Sequence, residues 1–343
     1  MSVTIKDIAR EAGVSYASVS RALSGNRGVS VETSKRILEV AKRLNYSPNG
    51  IARHLVSQRS KTLGLILPDI SNPFFADIAL AVIHTAEKAG YQTILSNTDW
   101  EPRTQKRQLL LMREQRVDGV ILKPVQDAGD DIAYENLGLP AVLLHYSGSK
   151  VVSCVDTDHE YGGYLMTRHL LGCGCRRIAF LGGLPDSHSN LQRLEGYVRA
   201  LRENGLTPDA QLVRYGPFTS ENGYALAKEI LQSQTPPDAL FCGNDVIALG
   251  ALQYAQEAGI QVPQSLCIAG FDGISYASLA QIRLTTIRQD RQRMGETATN
   301  LLLDAIESNA APTVQKILLT PTLLAQATTG EIDRSKSLPI ETD

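Results

Sequence analysis

The chain has 343 residues, 43% of them hydrophobic and 20% charged, which is long enough for two or three domains and a sizeable buried core. Its net charge of −2 is unevenly spread: residues 1–60 hold ten Lys/Arg against four Asp/Glu, leaving −8 on the other 283. Five cysteines, an odd number in so long a chain, do not make a disulfide framework. No run of ~18 apolar residues offers a membrane span, and Met1 to Ile5 lacks the apolar stretch of a secretory signal. The expected setting is therefore cytoplasmic, with no membrane partner. A cationic head on an anionic body implies a head that meets a polyanion, or merely helices carrying solvated charge.

In "TIKDIAREAG", Thr4 suits an N-cap, Ile5, Ile8, Ala9 and Ala12 form an apolar stripe, and Gly13 stops the helix. "VSYASVSRAL" follows, with Ser15 placed to cap a second helix. On a helical wheel Tyr16, Ser20, Ala17 and Arg21 fall within about 140° of one another, while Ser18, Ala22, Val19 and Leu23 take the other half. One face can bury small and apolar groups; the other presents a phenol, a hydroxyl, a methyl and a guanidinium. "SGNRG" reads as a turn, after which Ser30 caps a third helix in which Ile37, Ala41 and Leu44 repeat at helical spacing. This order is that of a helix-turn-helix. The major groove of DNA admits one α-helix, and Arg21 can offer paired donors to guanine O6 and N7. Tyr16 and Ala17 stand at the leading end, where base edges are met first. Thr4, Ser15, Ser18, Ser20, Tyr46 and Asn49 suit phosphate contacts that fix register without reading sequence. A three-helix packing module is the competing reading.

"SPNGIARHLVSQRS" links head to body, and Ile51 and Leu55 at i, i+4 allow a short helix there. So short a helix is marginal alone, and Gly50 weakens it by about 1 kcal/mol relative to alanine if it lies in the interior.

From Thr62 short apolar runs alternate with amphipathic helices. "TLGLILPD", "QTILSNT", "GVILKP" and "AVLLHY" make a first half; "RIAFLGG", "LVRYG", "ALFCGND" and "LCIAGFD" make a second; "LTTIRQD" and "KILLTPTLL" come last. The rhythm predicts an α/β body of two parallel, doubly wound sheets. Ligands of such sheets sit beyond the carboxyl ends of the strands. There the sequence places Asp69, Asn72, Phe74 and Phe75; Asp99 and Trp100; His145 and Tyr146; Asp156; Phe218; Asn244; and Asp272. Arg193, in "RLEGY", is expected to open a helix facing the cleft. Carboxylates, amides and an arginine bind hydroxyls, and an aromatic ring stacks on the apolar face of a sugar. The mixture suits a small polyhydroxylated effector, although Asn244 and Asp272 equally fit caps of local turns.

Enzyme signatures are missing. The sequence has no Gly-Lys dipeptide, hence no P-loop, and no G-x-S-x-G, H-E-x-x-H or G-x-G-x-x-G. His169, Cys173 and Cys175 in "HLLGCGC" supply three possible metal ligands, but no second cysteine pair completes a tetrahedron. No catalytic residue, metal or cofactor is expected.

Taken in order, "VTIKDIAREAGVSYASVSRALSG", "NYSPNGIARHL", "GLILPDISNPFFADI", "RRIAFLGG", "RLEGYVRAL" and "LTTIRQD" resemble the LacI/GalR family of bacterial transcription regulators, from Val3 to about Gly330. The resemblance implies a two-lobed body like that of periplasmic sugar-binding proteins, below a DNA-binding head. The expected divisions are a helix-turn-helix domain over 1–47, a hinge over 48–61, an effector-binding domain over 62–330 and a tail over 331–343. Within the body the lobes are expected over 62–158 and 286–318, and over 159–285 and 319–330. The resemblance also implies hinge helices that form on double-stranded operator DNA, with Leu55 wedged into the minor groove. It makes Phe74, Arg193, Phe218, Asn244 and Asp272 the leading effector contacts, joined by Asn72, His145 and Asp156. His145-Tyr146 departs from the commoner Asp-Arg of the family, so the effector is expected to be an unusual sugar or sugar derivative, or a purine or nucleoside of the kind related regulators bind. The tail, with Pro339 and no heptads, cannot make the leucine-repeat bundle of tetrameric relatives, so a homodimer is expected. The alternative is a small-molecule receptor whose head docks a protein partner.

Overall fold

The computed structural model describes residues 3–23, 28–44, 59–125, 138–145, 152–308 and 313–330. The chain divides into two compact units, residues 1–60 and 61–343.

In the first unit three helices share one small core. Helix α1 (Ile5–Ala12) begins with a reciprocal capping box between Thr4 and Asp7 and ends at Gly13 in the left-handed conformation. Helix α2 (Tyr16–Leu23) starts where the Ser15 hydroxyl accepts the Ser18 N–H at 3.1 Å. Helix α3 (Val31–Arg43) is capped by Ser30, which accepts the Thr33 N–H. Ile8, Ala12, Val19, Ala22, Ile37, Val40 and Ala41 are buried together. Val3, Ile5, Ala9, Val14, Leu23, Val29 and Leu44 pack around them, partly buried.

The second unit holds two six-stranded sheets. The strands and helices are β1 (Thr62–Leu67), α4 (Pro73–Lys88), β2 (Gln92–Asn97), α5 (Pro102–Glu114), β3 (Gly119–Leu122), β4 (Ala141–Leu143), β5 (Ser153–Thr157) and α6 (His159–Gly172). They continue as β6 (Ile178–Leu181), α7 (His188–Glu203), β7 (Val213–Arg214), α8 (Ser220–Leu231), β8 (Ala239–Cys242), α9 (Asp245–Glu257) and β9 (Cys267–Asp272). The last are β10 (Thr285–Arg288), α10 (Arg291–Glu307), β11 (Lys316–Leu319) and β12 (Thr322–Leu324). The first sheet runs β11-β5-β4-β3-β1-β2 and the second β12-β10-β9-β8-β6-β7. All neighbours are parallel except β10 and β12. Central strands such as β3, β6, β8 and β9 are buried along their whole length, as covered parallel sheets require.

Sheet membership puts the chain across between lobes three times, near 157–159, 288–291 and 319–322. The expectation that 286–318 lies in the first lobe needs correction at its start. β10 pairs with β9, so residues 286–288 belong to the second sheet, and the return begins with α10, which packs on α4. In "LTTIRQD" only Leu284 and Ile287 are apolar, and so short a strand pattern does not say which sheet it joins.

Helices α6 and α7 lie unusually close. A Cβ built at Gly163 would fall 2.2 Å from the Arg193 carbonyl oxygen, and one at Gly196 would fall 2.0 Å from that of Glu160. Two glycines thus set the distance at which α7 carries its side chains past α6. Gly163→Ala should force the helices apart and lower the unfolding free energy by about 1–3 kcal/mol, read as a reduced urea midpoint at unchanged slope.

Candidate functional site

On the head, burial divides α2 lengthwise. Val19 and Ala22 are buried, whereas Tyr16, Ala17 and Arg21 are exposed on one side. Two of the expected phosphate ligands are also structural: Thr4 caps α1, and Ser15 caps α2 while its hydroxyl lies 2.9 Å from that of Ser18. Ser20 is half-buried on the same helix. Tyr46, Asn49, Gly50 and Leu55 lie outside the described residues.

In the body, a cavity opens between the carboxyl ends of the two sheets. Asn72, Phe74, Asp156, Arg193, Phe218, Asn244 and Asp272 all line it, with Phe75 and Trp100 beside them. His145 borders an adjoining cavity that shares Trp100, Lys123 and Ser189 with the first. Asp69 and Asp99 line neither: Asp69 accepts from Ser71, and Asp99 from the Asn97 amide. Tyr146 and the tail 331–343 are outside the described residues. Asn72 and Asn244 each spend one oxygen as the N-cap of α4 and α9, accepting from Phe74 N and Ile247 N. Arg193 does not open α7; it is the sixth residue of that helix, far enough in to turn back over the second sheet.

Arg193 is buried at 4% exposure, so its charge must be answered within the protein. It donates to the Gly243 carbonyl and to His159 Nδ1, lies 3.7 Å from Asp272, and stacks 3.8 Å over the Phe271 ring. Because a guanidinium only donates, His159 Nδ1 is the acceptor, and the His159 proton sits on Nε2, donating to Asp156 Oδ1 at 3.1 Å. A chain Asp156–His159–Arg193–Asp272 therefore joins the end of β5 to the end of β9. Gln289 extends it, donating to Asp272 at 2.7 Å, while its own Oε1 is buried with no hydrogen-bond partner among the described residues.

The aromatic wall is equally continuous. Phe74 meets Phe75 edge-on, Phe75 meets Trp100 edge-on, and Trp100 stacks on Phe218 at 5.5 Å. Phe218 lies flat against Gly183, where a Cβ would fall 1.9 Å from the ring; "LGG" therefore ends β6 without a side chain in the way. Asp99, Trp100 and Asp272 have positive φ, of 53°, 59° and 125°. Such backbone costs about 1–3 kcal/mol per residue and clusters at ligand sites.

Burial controls the ionisation of the site. It holds His145 down at about 3 and His159 at about 4, against the opposing pull of Asp156. Burial also raises Asp245 and Asp272; the neighbouring Asp272 charge adds to the rise at Asp245, and Arg193 counters it at Asp272. His169 and Cys173 lie at the end of α6, where His169 Nε2 is 2.8 Å from Thr329 Oγ1 and Cys173 donates to the Gly330 carbonyl. Among the described residues no His, Cys, Asp or Glu cluster has the arrangement of a metal site.

Lys123, His159, Ser189 and Gln289 line the cavity without having been anticipated. Two carried a signal: Lys123 ends the "GVILK" strand, and Gln289 follows "LTTIR". His159 and Ser189 sit on helices, where strand ends give no guide.

The head matches the family model "Bacterial regulatory proteins, lacI family" over residues 4–49, and the body matches "Periplasmic binding protein-like domain" over residues 167–329. The HTH-type transcriptional repressor PurR of Haemophilus influenzae strain PittEE is 34% identical over 334 residues, 96% of this chain and 99% of that protein. The chain belongs to the LacI family. The PurR repressor of Erwinia tasmaniensis is also 34% identical, over 333 residues. Among solved LacI-family structures, the Lac repressor dimer bound to operator and the anti-inducer ONPF superposes with a TM-score of 0.87 at 29% identity, covering 96% of this chain and all of that one. The transcriptional regulator CelR in complex with cellobiose superposes with a TM-score of 0.72, also at 29% identity, over 95% of this chain and 99% of that one. No helix among the described residues is long and apolar enough to cross a membrane.

The pH behaviour follows from the buried imidazoles. A folded-state pKa below the unfolded value of about 6.5 favours the folded state above that pH, and this contribution is lost as pH falls through the folded values. His145 and His159 should remain neutral at about pH 5, where an exposed imidazole is protonated; NMR of the imidazole rings checks this.

Proposed function

We propose that the protein is a homodimeric, effector-controlled repressor that binds a near-palindromic operator. Tyr16, Ala17 and Arg21 read base edges, Thr4, Ser15, Ser18, Ser20, Tyr46 and Asn49 hold phosphates, and Leu55 enters the minor groove between half-sites. The observation that carries this reading is the exposed Tyr16–Ala17–Arg21 face on a helix whose opposite side packs into the head core.

Dimerisation is supported by the first lobe. Leu80, Ile94, Leu95, Leu110 and Leu111 are exposed on α4, β2 and α5, an apolar surface suited to a second copy. The effector is a small polyhydroxylated molecule, a sugar or sugar derivative or a nucleoside, held against the Trp100–Phe218 wall by Asn72, Asp156, Arg193, Asn244 and Asp272, with His145 alongside. Because these groups come from both lobes, an occupant changes how the lobes close, and through the hinge over 48–61 it changes operator affinity. Linkage then requires operator to change effector affinity by the same factor.

Replacing Arg21 with Ala should remove about 1–3 kcal/mol of discrimination between operator and single-base variants. Fluorescence anisotropy with labelled duplexes measures this, and an unchanged preference would remove Arg21 from the reading surface. Wild-type binding should weaken steeply with salt as counterions are released. Total failure to retain random duplex at low salt would instead favour a head that docks a protein.

A further inference from the structure

Resting on the reading of the cleft as the effector site, we infer that Lys123 binds an oxyanion on the effector, so that the ligand is an acidic molecule, a carboxylate or phosphate on a polyhydroxylated frame. Lys123 follows β3 directly, its backbone N–H donates to Ile66, and its side chain lines both cavities. The ammonium makes no hydrogen bond and no ion pair within 4 Å among the described residues. Lys123 is half-buried, and an ammonium partly withdrawn from water without an acceptor is disfavoured.

Among the described residues, Asp156 and Asp272 act on that ammonium only through space, without a hydrogen bond or an ion pair within 4 Å. Arg193, the buried cation of the site, is engaged by Gly243, His159, Asp272 and Phe271. Asp156 turns Oδ1 to His159 and to the Thr157 N–H, and Oδ2 lies 4.0 Å from His145. Asp186 also lines the second cavity but is exposed, so water and salt screen it.

A second feature faces the same space. Ser187, His188 and Ser189, the N-cap and first two residues of the 16-residue α7, line the second cavity, and no side chain caps that helix end. The uncapped amides of a helix N-terminus favour an anion. One ammonium and one positive helix end on a single cavity suit an oxyanion better than a hydroxyl, because charge-assisted hydrogen bonds are about twice as strong as neutral ones.

Trp100 is the only tryptophan in the chain, and it borders both cavities, so its fluorescence reports occupancy directly. The full-length protein is titrated with inorganic phosphate, with acetate, and with two matched pairs, glucose against gluconate and ribose against ribose 5-phosphate. The expected result is a saturable response to inorganic phosphate or acetate. In any pair that binds, the acidic member should bind about tenfold more tightly or better; gluconate and ribose 5-phosphate separate carboxylate from phosphate. Lys123→Met should abolish the anion response and the preference, and Lys123→Arg should retain both. Lys123→Gln, checked by circular dichroism, repeats the test should the Met variant misfold. No response to either simple anion, or an undiminished response in Lys123→Met and Lys123→Gln, overturns the inference. Neutral ligands that bind as well as acidic ones, in a protein that still releases or grips operator, overturn it while leaving the repressor reading intact.

Discussion

The buried guanidinium of Arg193 is the constraint on which the cleft is built. A charge at that depth survives only where fixed acceptors surround it, and those acceptors come from separate parts of the chain: a carbonyl after β8, an imidazole at the start of α6 and a carboxylate at the end of β9. Satisfying one side chain therefore fixes the relative placement of three elements. The neutral tautomer of His159 is the essential intermediary, because only a ring that accepts on one nitrogen and donates on the other can stand between a guanidinium and a carboxylate. Asp156 on the first sheet is thereby tied to the helices of the second lobe.

Close packing allows that arrangement and aromatic contact completes it. Without Gly163 and Gly196, α7 could not pass α6 near enough for Arg193 to reach both His159 and Asp272. On the opposite wall, the stack of Trp100 on Phe218 joins a residue after β2 to one after β7, so the lobes meet through an apolar contact as well as a polar one. Polar and apolar links between lobes respond differently to a ligand: one can be extended by new hydrogen bonds, and the other can only be kept or parted.

Much of this was legible in the sequence. The alternation of apolar runs and amphipathic helices gave the two sheets, and the capping serines and the split face of α2 gave the head. Strand ends located Asp156, Asn244 and Asp272 because parallel sheets place function there. The same rule covers Lys123, but a lysine after a strand reads as a solubilising residue until the opposing lobe is seen. His159 and Ser189 were hidden because helix N-termini enter the cleft by tertiary packing, which leaves no local period. The sheet assignment of β10 was hidden for a related reason: so short a strand pattern does not say which neighbour it joins. Asn72 and Asn244 show the reverse case, in which a residue expected at the ligand also closes a helix end.

The threefold crossing between lobes also bears on how the polypeptide reaches its native state. The first sheet lacks its edge strand β11 and its covering helix α10 until residue 319 has been made, and the second lacks β12 until residue 324. Neither lobe is a contiguous segment, so neither can finish folding on the ribosome while the rest is still being synthesised. The head, complete within the first 60 residues, has no such delay. A nascent chain would thus carry a folded head long before either lobe is complete.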